Sequence, residues 1–244
     1  MTPPRDPVAA VTHPDPYPYY AGLVAQRPLY RDDSLGLWVA SSATAVTAAL
    51  TSDVCRVRPP AEPVPTALVG SPPGEIFRRL VRMNDGPPHT LMKHAVSATL
   101  ESLDGARVVA VARERARALV DATAPQDDPR RVTDFAFRFT AEVIASLLGV
   151  APDLLASVAG WTDDFVRCLA PGSPPEQLAR GKEAAAHLLD VGGLLRSGTG
   201  LVAELHGRAP GNADAAVANA LGFLSQAYEA TRSEERRVGK ECRL

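Results

Sequence analysis

From residue 87 onward the sequence is a succession of apolar patterns with the period of an α-helix, and this feature constrains the fold more than any other. Clusters of proline and glycine separate these patterns, as they do between successive helices of a chain. Aromatic residues make up only 5% of the chain, and the abundance of alanine and valine favours helices that pack through small side chains. We therefore expect a mainly α fold. The predicted helices span residues 87–100, 104–123, 131–149, 152–170, 174–196 and 212–231.

The first 86 residues predict a less regular structure. A short helix that ends near Pro28 is followed by two β runs, Leu29–Arg31 and Leu37–Ala40, which predict a small hairpin, and then by an alanine-rich helix. Residues 55–75 contain many prolines and glycines and predict a long irregular loop. Loops of that length inside compact domains are more often binding loops or lids than linkers.

The composition argues against several classes of protein. The 26 basic and 28 acidic residues give a net charge of −2, so no overall field attracts nucleic acid or an anionic membrane. The N-terminus has no apolar run suited to a signal peptide or a membrane anchor. Cys55, Cys168 and Cys242 lie far apart without a C-x-x-C pair, which argues against a disulfide framework or a zinc site. We expect a soluble cytoplasmic protein without a nucleic-acid or membrane partner.

Residues 83–96, "MNDGPPHTLMKHAV", contain the first group of residues that could carry a function. Asp85 stands where it can cap a helix, and His89 and Lys93 then lie four residues apart on one face of that helix. Two cationic donors near the positive end of a helix suit a pair of carboxylates. The alternative is an ordinary solvated surface, which the spacing alone favours.

Residues 220–231, "ALGFLSQAYEAT", contain the second group. Glu229 interrupts a strongly apolar helical pattern, and Gln226, Tyr228 and Thr231 lie nearby. Polar residues in a buried segment must find partners or line a cavity, which indicates a site. The alternative is a helix that reaches the protein surface at this point, and the spacing does not choose between the two.

The order of these segments resembles the N-terminal half of a bacterial haem-thiolate monooxygenase, a cytochrome P450, over residues 13–231. The segment "DGPPHTLMK" is similar to the family's D-x-P-x-H-x-x-x-R motif on helix C, and "AEVIASLLGVAPD" is similar to the end of helix E and the start of helix F. The resemblance implies one domain over residues 1–231 with the cytochrome P450 fold, truncated after helix I and with a small N-terminal β portion. It also implies that residues 57–82 belong to the loops that cover the substrate pocket.

The resemblance further implies that the complete protein holds heme b, with His89 as a propionate ligand and Lys93 in the place of the usual arginine. Lysine keeps the charge of arginine but loses its two-pronged geometry. Ala227 takes the glycine position of the helix I motif A-G-x-[DE]-T, so it is assigned to cofactor binding together with His89 and Lys93.

Glu229 takes the acid position of that motif, whereas Ala230 stands where the family has its threonine. Thr231 lies two residues beyond Glu229, about 200° round the helix, and cannot replace that hydroxyl without local distortion of the helix. Glu229 and Thr231 are nevertheless the predicted catalytic residues, because they are the acid and the alcohol that remain.

The family's later signatures, the E-x-x-R pair and the cysteine loop that supplies the axial thiolate, are not found in the sequence, so no metal ligand is assigned. Residues 232–244 resemble the translation of a sequencing adapter, and we expect a non-native tail there. The expectation is an inactive fragment of an enzyme that oxidises a small organic substrate with haem, dioxygen and electrons from a ferredoxin-type or other redox partner. The alternative is a non-enzymatic helical protein that binds a ligand or regulates a partner.

Overall fold

The computed structural model describes residues 2–241 apart from residues 60, 129 and 171, and for residues 232–241 it describes the backbone alone. Of the predicted non-native tail, only this backbone is therefore described, and residues 242–244 lie outside the described residues. Contacts divide the chain into two compact units, Met1–Arg56 and Val57–Leu244. The interpretation of residues 1–231 as one domain stays a prediction.

The first unit contains the predicted hairpin. Strands β1 and β2 are antiparallel, with Leu29 opposite Ala40, and the Asp32 carboxylate accepts the backbone N–H groups of Ser34 and Leu35 in the turn between them. The small β portion predicted from the sequence is thus confirmed. The elements of this unit are α1 (Pro7–Val11), α2 (Tyr17–Gln26), β1 (Leu29–Asp32), β2 (Leu37–Ala40) and α3 (Ala43–Thr51).

The second unit is helical, and each of the six predicted helices is present. Their ends agree with the prediction to within three residues, except that the backbone of the last helix stays helical to Glu241. The helices are α4 (Pro72–Arg79), α5 (Gly86–Glu101), α6 (Gly105–Thr123), α7 (Arg130–Leu148), α8 (Leu155–Cys168), α9 (Pro175–Leu195), α10 (Leu201–Arg208) and α11 (Ala213–Glu241).

Helix α4, which begins at Pro72, corrects the prediction that residues 55–75 form one irregular loop. Pro72 and Pro73 occupy the first two helical positions, where the missing N–H groups cost nothing. Ile76 and Phe77 are buried, and this burial rather than intrinsic propensity stabilises a helix of only eight residues.

Helix α10 was not predicted either. It contributes Leu201, Val202 and Leu205 to the core, and each of these side chains is at most 3% exposed. Gly200 precedes the helix where a Cβ atom would lie 2.5 Å from the carbonyl oxygen of Leu148. The absence of a side chain there lets the start of α10 approach the end of α7.

Helix α11 lies at the centre of the second unit and contacts α4, α7, α8, α9 and α10. Its residues from Ala216 to Leu221 are all buried. None of the helices that the structure describes is long and apolar enough to cross a lipid bilayer. The residues of α11 that belong to the core are Ala216, Val217, Ala218, Ala220, Leu221 and Leu224.

Candidate functional site

The start of helix α5 differs in one respect from its prediction. Asp85 occupies the N-cap position, but its side chain forms no capping hydrogen bond. A capping carboxylate accepts from the N–H of the second or third helical residue, and here those residues are Pro87 and Pro88, which have no N–H. The carboxylate instead accepts the backbone N–H of Val57 at 3.1 Å. This hydrogen bond links the chain at Val57 to the start of α5.

His89 and Lys93 lie one turn apart on α5, as predicted. His89 is partly buried and Lys93 is exposed. Neither forms a hydrogen bond or an ion pair with another of the residues that the structure describes. Their donors are therefore available to a ligand, although this availability alone does not distinguish a binding pair from a solvated surface.

The solvent exposure of helix α11 changes along one of its faces. Asn219 and Gly222 on this face are covered by the segment that follows α4, and a Cβ atom on Gly222 would lie 2.9 Å from Leu80 Cδ2. One turn further, Gln226 and Glu229 are exposed. Because the opposite face of the helix stays buried, as at Leu224, the exposed residues form a stripe rather than a frayed end.

Asn219 fixes the segment that covers the first half of this face, and it was not singled out in the sequence. Its side chain is 4% exposed. Its Oδ1 accepts the backbone N–H of Val81 at 2.8 Å, and its Nδ2 donates to the carbonyl oxygen of Arg79 at 2.8 Å. A lone asparagine in an alanine-rich helical pattern was the available signal, since a buried amide must be paired.

Arg82 lies at the border between the covered and the exposed part of the face. Its Nη1 is 3.8 Å from Glu229 Oε2, and its Nε is buried without a hydrogen-bond partner among the described residues. The side chain of Glu229 is 51% exposed. The pair is thus a loose ion pair in which the carboxylate can change partners at small energetic cost.

Thr231 belongs to a different face of α11. Its Oγ1 donates to the carbonyl oxygen of Ala227 at 3.0 Å and lies 2.9 Å from Oγ1 of Thr140 on α7. The two predicted catalytic side chains are therefore directed to different neighbours, as the helical angle requires. Ala227 is partly buried and precedes both of them along α11.

A second polar cluster involves Tyr228, on the side of α11 away from Gln226. The Tyr228 hydroxyl donates a short hydrogen bond to Asp163 of α8, and Arg167 Nε donates to both oxygens of the same carboxylate. The phenol ring stacks on Phe137 with 4.7 Å between centroids. Burial and the hydrogen bond to Asp163 raise the pKa of Tyr228 to about 12. The tyrosine is thus a neutral, structural link between α8 and α11.

The cysteines of the described residues are unsuited to ligating a haem iron. Cys168 is buried, and its Sγ donates to the carbonyl oxygen of Phe165 at 3.1 Å. Burial is the main cause that raises the pKa of this thiol to about 11, so the thiolate that would bind iron is disfavoured. Cys55 lies in the first compact unit, which contains none of the predicted site residues. Cys242 lies outside the described residues.

The comparisons with known proteins define a class by fold alone. No family model matches the sequence, and no curated protein matches it. Solved structures similar to this chain include bacterial cytochrome P450s. P450BioI, in complex with acyl carrier protein ligated with hexadec-9Z-enoic acid, has a TM-score of 0.69 and 16% identity, over 88% of this chain and 58% of that chain.

Two further structures agree with this result. CalO2 has a TM-score of 0.67 and 21% identity, over 94% of this chain and 59% of that chain. CYP109E1 from Bacillus megaterium, in complex with testosterone, has a TM-score of 0.56 and 18% identity, over 88% of this chain and 57% of that chain. The chain therefore has the cytochrome P450 fold, as predicted, and spans less than two thirds of the length of these structures.

Proposed function

We propose that this chain is part of a cytochrome P450 whose complete form oxidises a small organic substrate with haem, dioxygen and electrons from a ferredoxin-type or other redox partner. The observation that carries the proposal is the exposed stripe of α11, where the exposed Gln226 and Glu229 follow a largely buried stretch that begins at Ala216, on a helix within the P450 fold. A polar stripe on a central helix is explained if another group covers it and pairs with its polar side chains in the complete protein.

The residues present fit one edge of a haem. His89 and Lys93 form no hydrogen bond or ion pair within the described part of the chain, and we assign them to the two propionates through charge-assisted hydrogen bonds. Ala227, without a bulky side chain, leaves room for the ring. The axial thiolate has no candidate among the described cysteines, so we assign its supply to residues beyond this chain and expect the fragment to be inactive.

When bound, haem would supply the activation of dioxygen, and the protein would supply protons and exclude water. We assign to Glu229 the holding and transfer of a proton at its carboxylate, and its half-exposed side chain and the long ion pair with Arg82, 3.8 Å, support this assignment. Thr231 stays a predicted catalytic residue, but the contact of its hydroxyl with Thr140 makes us expect the smaller contribution from it.

The experiment is expression of the complete gene, reduction under carbon monoxide and measurement of the Soret band. A red-shifted band of thiolate-ligated haem is expected. The same locus, resequenced, should lack the codons for residues 232–244 if these derive from an adapter. A protein that binds no haem would contradict the proposal and favour the non-enzymatic ligand-binding or regulatory alternative.

Variants of the complete protein test the residue assignments. We expect His89→Ala and Lys93→Ala to weaken haem retention, whereas His94→Ala, an exposed change elsewhere on α5, leaves it unchanged. Lys93→Arg should strengthen retention, because it restores the two-pronged donor. Glu229→Gln should slow turnover by about 10²-fold. A Thr231→Val enzyme slower than Glu229→Gln would reverse the order that we assign.

A further inference from the structure

A separate cavity of about 480 Å³ opens between the end of α4, the start of α5 and the junction of α10 with α11. This volume is within the range of small-molecule sites. Most of its lining is apolar, and Leu91 stands 68% exposed there. The larger apolar lining residues are Val81, Pro87, Pro88, Leu91, Met92 and Pro210, and Ala209 and Ala215 complete the apolar lining.

The charged residues that line this cavity are all arginines: Arg78, Arg79 and Arg208. Arg78 and Arg79 both bind Glu75, and Arg79 Nη2 also lies 3.4 Å from Asp214. These hydrogen bonds lower the pKa of Glu75, which therefore stays ionised. The two carboxylates thus balance the charges of Arg78 and Arg79, and the charge of the third arginine is left unbalanced.

Arg208 carries this excess charge. It is exposed at the end of α10, and it forms no hydrogen bond or ion pair with any residue in the described part of the chain. A guanidinium group beside an apolar surface suits a carboxylate attached to an apolar body, because the two parts of such a molecule are recognised separately. We propose that this cavity binds a monoanionic amphiphile, with its carboxylate on Arg208 and its apolar body against Leu91 and the neighbouring prolines.

The cavity is distinct from the proposed haem site. The four residues of α5 that line it are Pro87, Pro88, Leu91 and Met92. Their mean direction lies about 150° round the helix from that of His89 and Lys93 at roughly 100° per residue. Ala215, which lines the cavity from α11, precedes Glu229 by fourteen residues, or about 21 Å along the helix. The proposal therefore does not depend on haem binding and is tested without it.

The experiment is calorimetric titration of this chain with decanoate below its micelle concentration, compared with decanol and decyltrimethylammonium. We expect one saturable site for decanoate, weaker binding of decanol and the weakest binding of the cation. Higher salt should weaken only the binding of decanoate. Equal binding of the three probes, or binding that does not saturate, would overturn the proposal, and this comparison requires no variant.

Two matched variants locate the site. Arg208→Ala should weaken decanoate binding about tenfold, as expected for the loss of one charge-assisted hydrogen bond, and should leave decanol unaffected. Arg113→Ala removes the same charge from an exposed position on α6 and should change nothing. Leu91→Ser should weaken decanoate and decanol alike. Unchanged decanoate affinity in Arg208→Ala would show that the carboxylate does not bind there.

Discussion

Replacement of Asn219 by alanine tests whether the amide of this residue holds the segment after α4 against α11. The change removes a hydrogen bond from the Val81 N–H and one to the Arg79 carbonyl, both of 2.8 Å. Each lost bond to a poorly solvated backbone group costs about 1–2 kcal/mol. Alanine regains about 0.6 kcal/mol of helix propensity. We therefore expect the free energy of unfolding to fall by about 1.5–3.5 kcal/mol.

The assay is urea unfolding followed by circular dichroism, with the free-energy difference taken from the midpoints and the common slope. Gln226→Ala is the control, since it removes an exposed amide from the same helix and should change stability by less than about 0.5 kcal/mol. Hydrogen exchange of the Val81 amide gives a local readout, because this group loses its acceptor. An Asn219→Ala protein as stable as the control, with Val81 still protected, would refute the reasoning.

Three further predictions follow from single contacts. Gly200→Ala should destabilise the protein by about 1–3 kcal/mol through overpacking, whereas Gly207→Ala, with no atom within 4 Å, should stabilise it by about 0.5–1 kcal/mol; urea unfolding measures both. Peptide mapping after iodoacetamide treatment should show exposed Cys55 labelled rapidly and buried Cys168 labelled only on unfolding. The pKa of Tyr228 rises on folding from 10.0 to about 12, so stability that is present below about pH 10 is lost as the pH rises towards 12; Tyr228→Phe should lose less stability than the parent between about pH 10 and pH 12.

The long helices could be predicted because their apolar period runs over several turns and proline or glycine marks each break. Helices α4 and α10 have eight residues each, too few for a period to stand out, and contacts distant in sequence stabilise them. The hydrogen-bond partner of Asp85 could not be predicted from the sequence either. Its position at the N-cap was readable, but its actual partner, Val57, is 28 residues away.

The candidate site was predictable in part for the same reason. His89 and Lys93 follow from spacing within one helix, and so does the angle between Glu229 and Thr231. The approach of Arg82 to Glu229 could not be predicted in this way, because Arg82 belongs to a separate segment that packs on α11. Motifs identify residues on one element, whereas the partners of those residues are set by tertiary contacts.

The position of the exposed stripe on α11 has a simple physical origin. Asn219 and Gly222 let the backbone after α4 approach the helix closely, one by pairing with its polar groups and the other by having no side chain. Beyond Gly222, Arg82 of this segment approaches Glu229 at 3.8 Å. A polar side chain on the covered part of this face needs a buried partner, as Asn219 has, whereas the exposed Gln226 and Glu229 can be solvated by water.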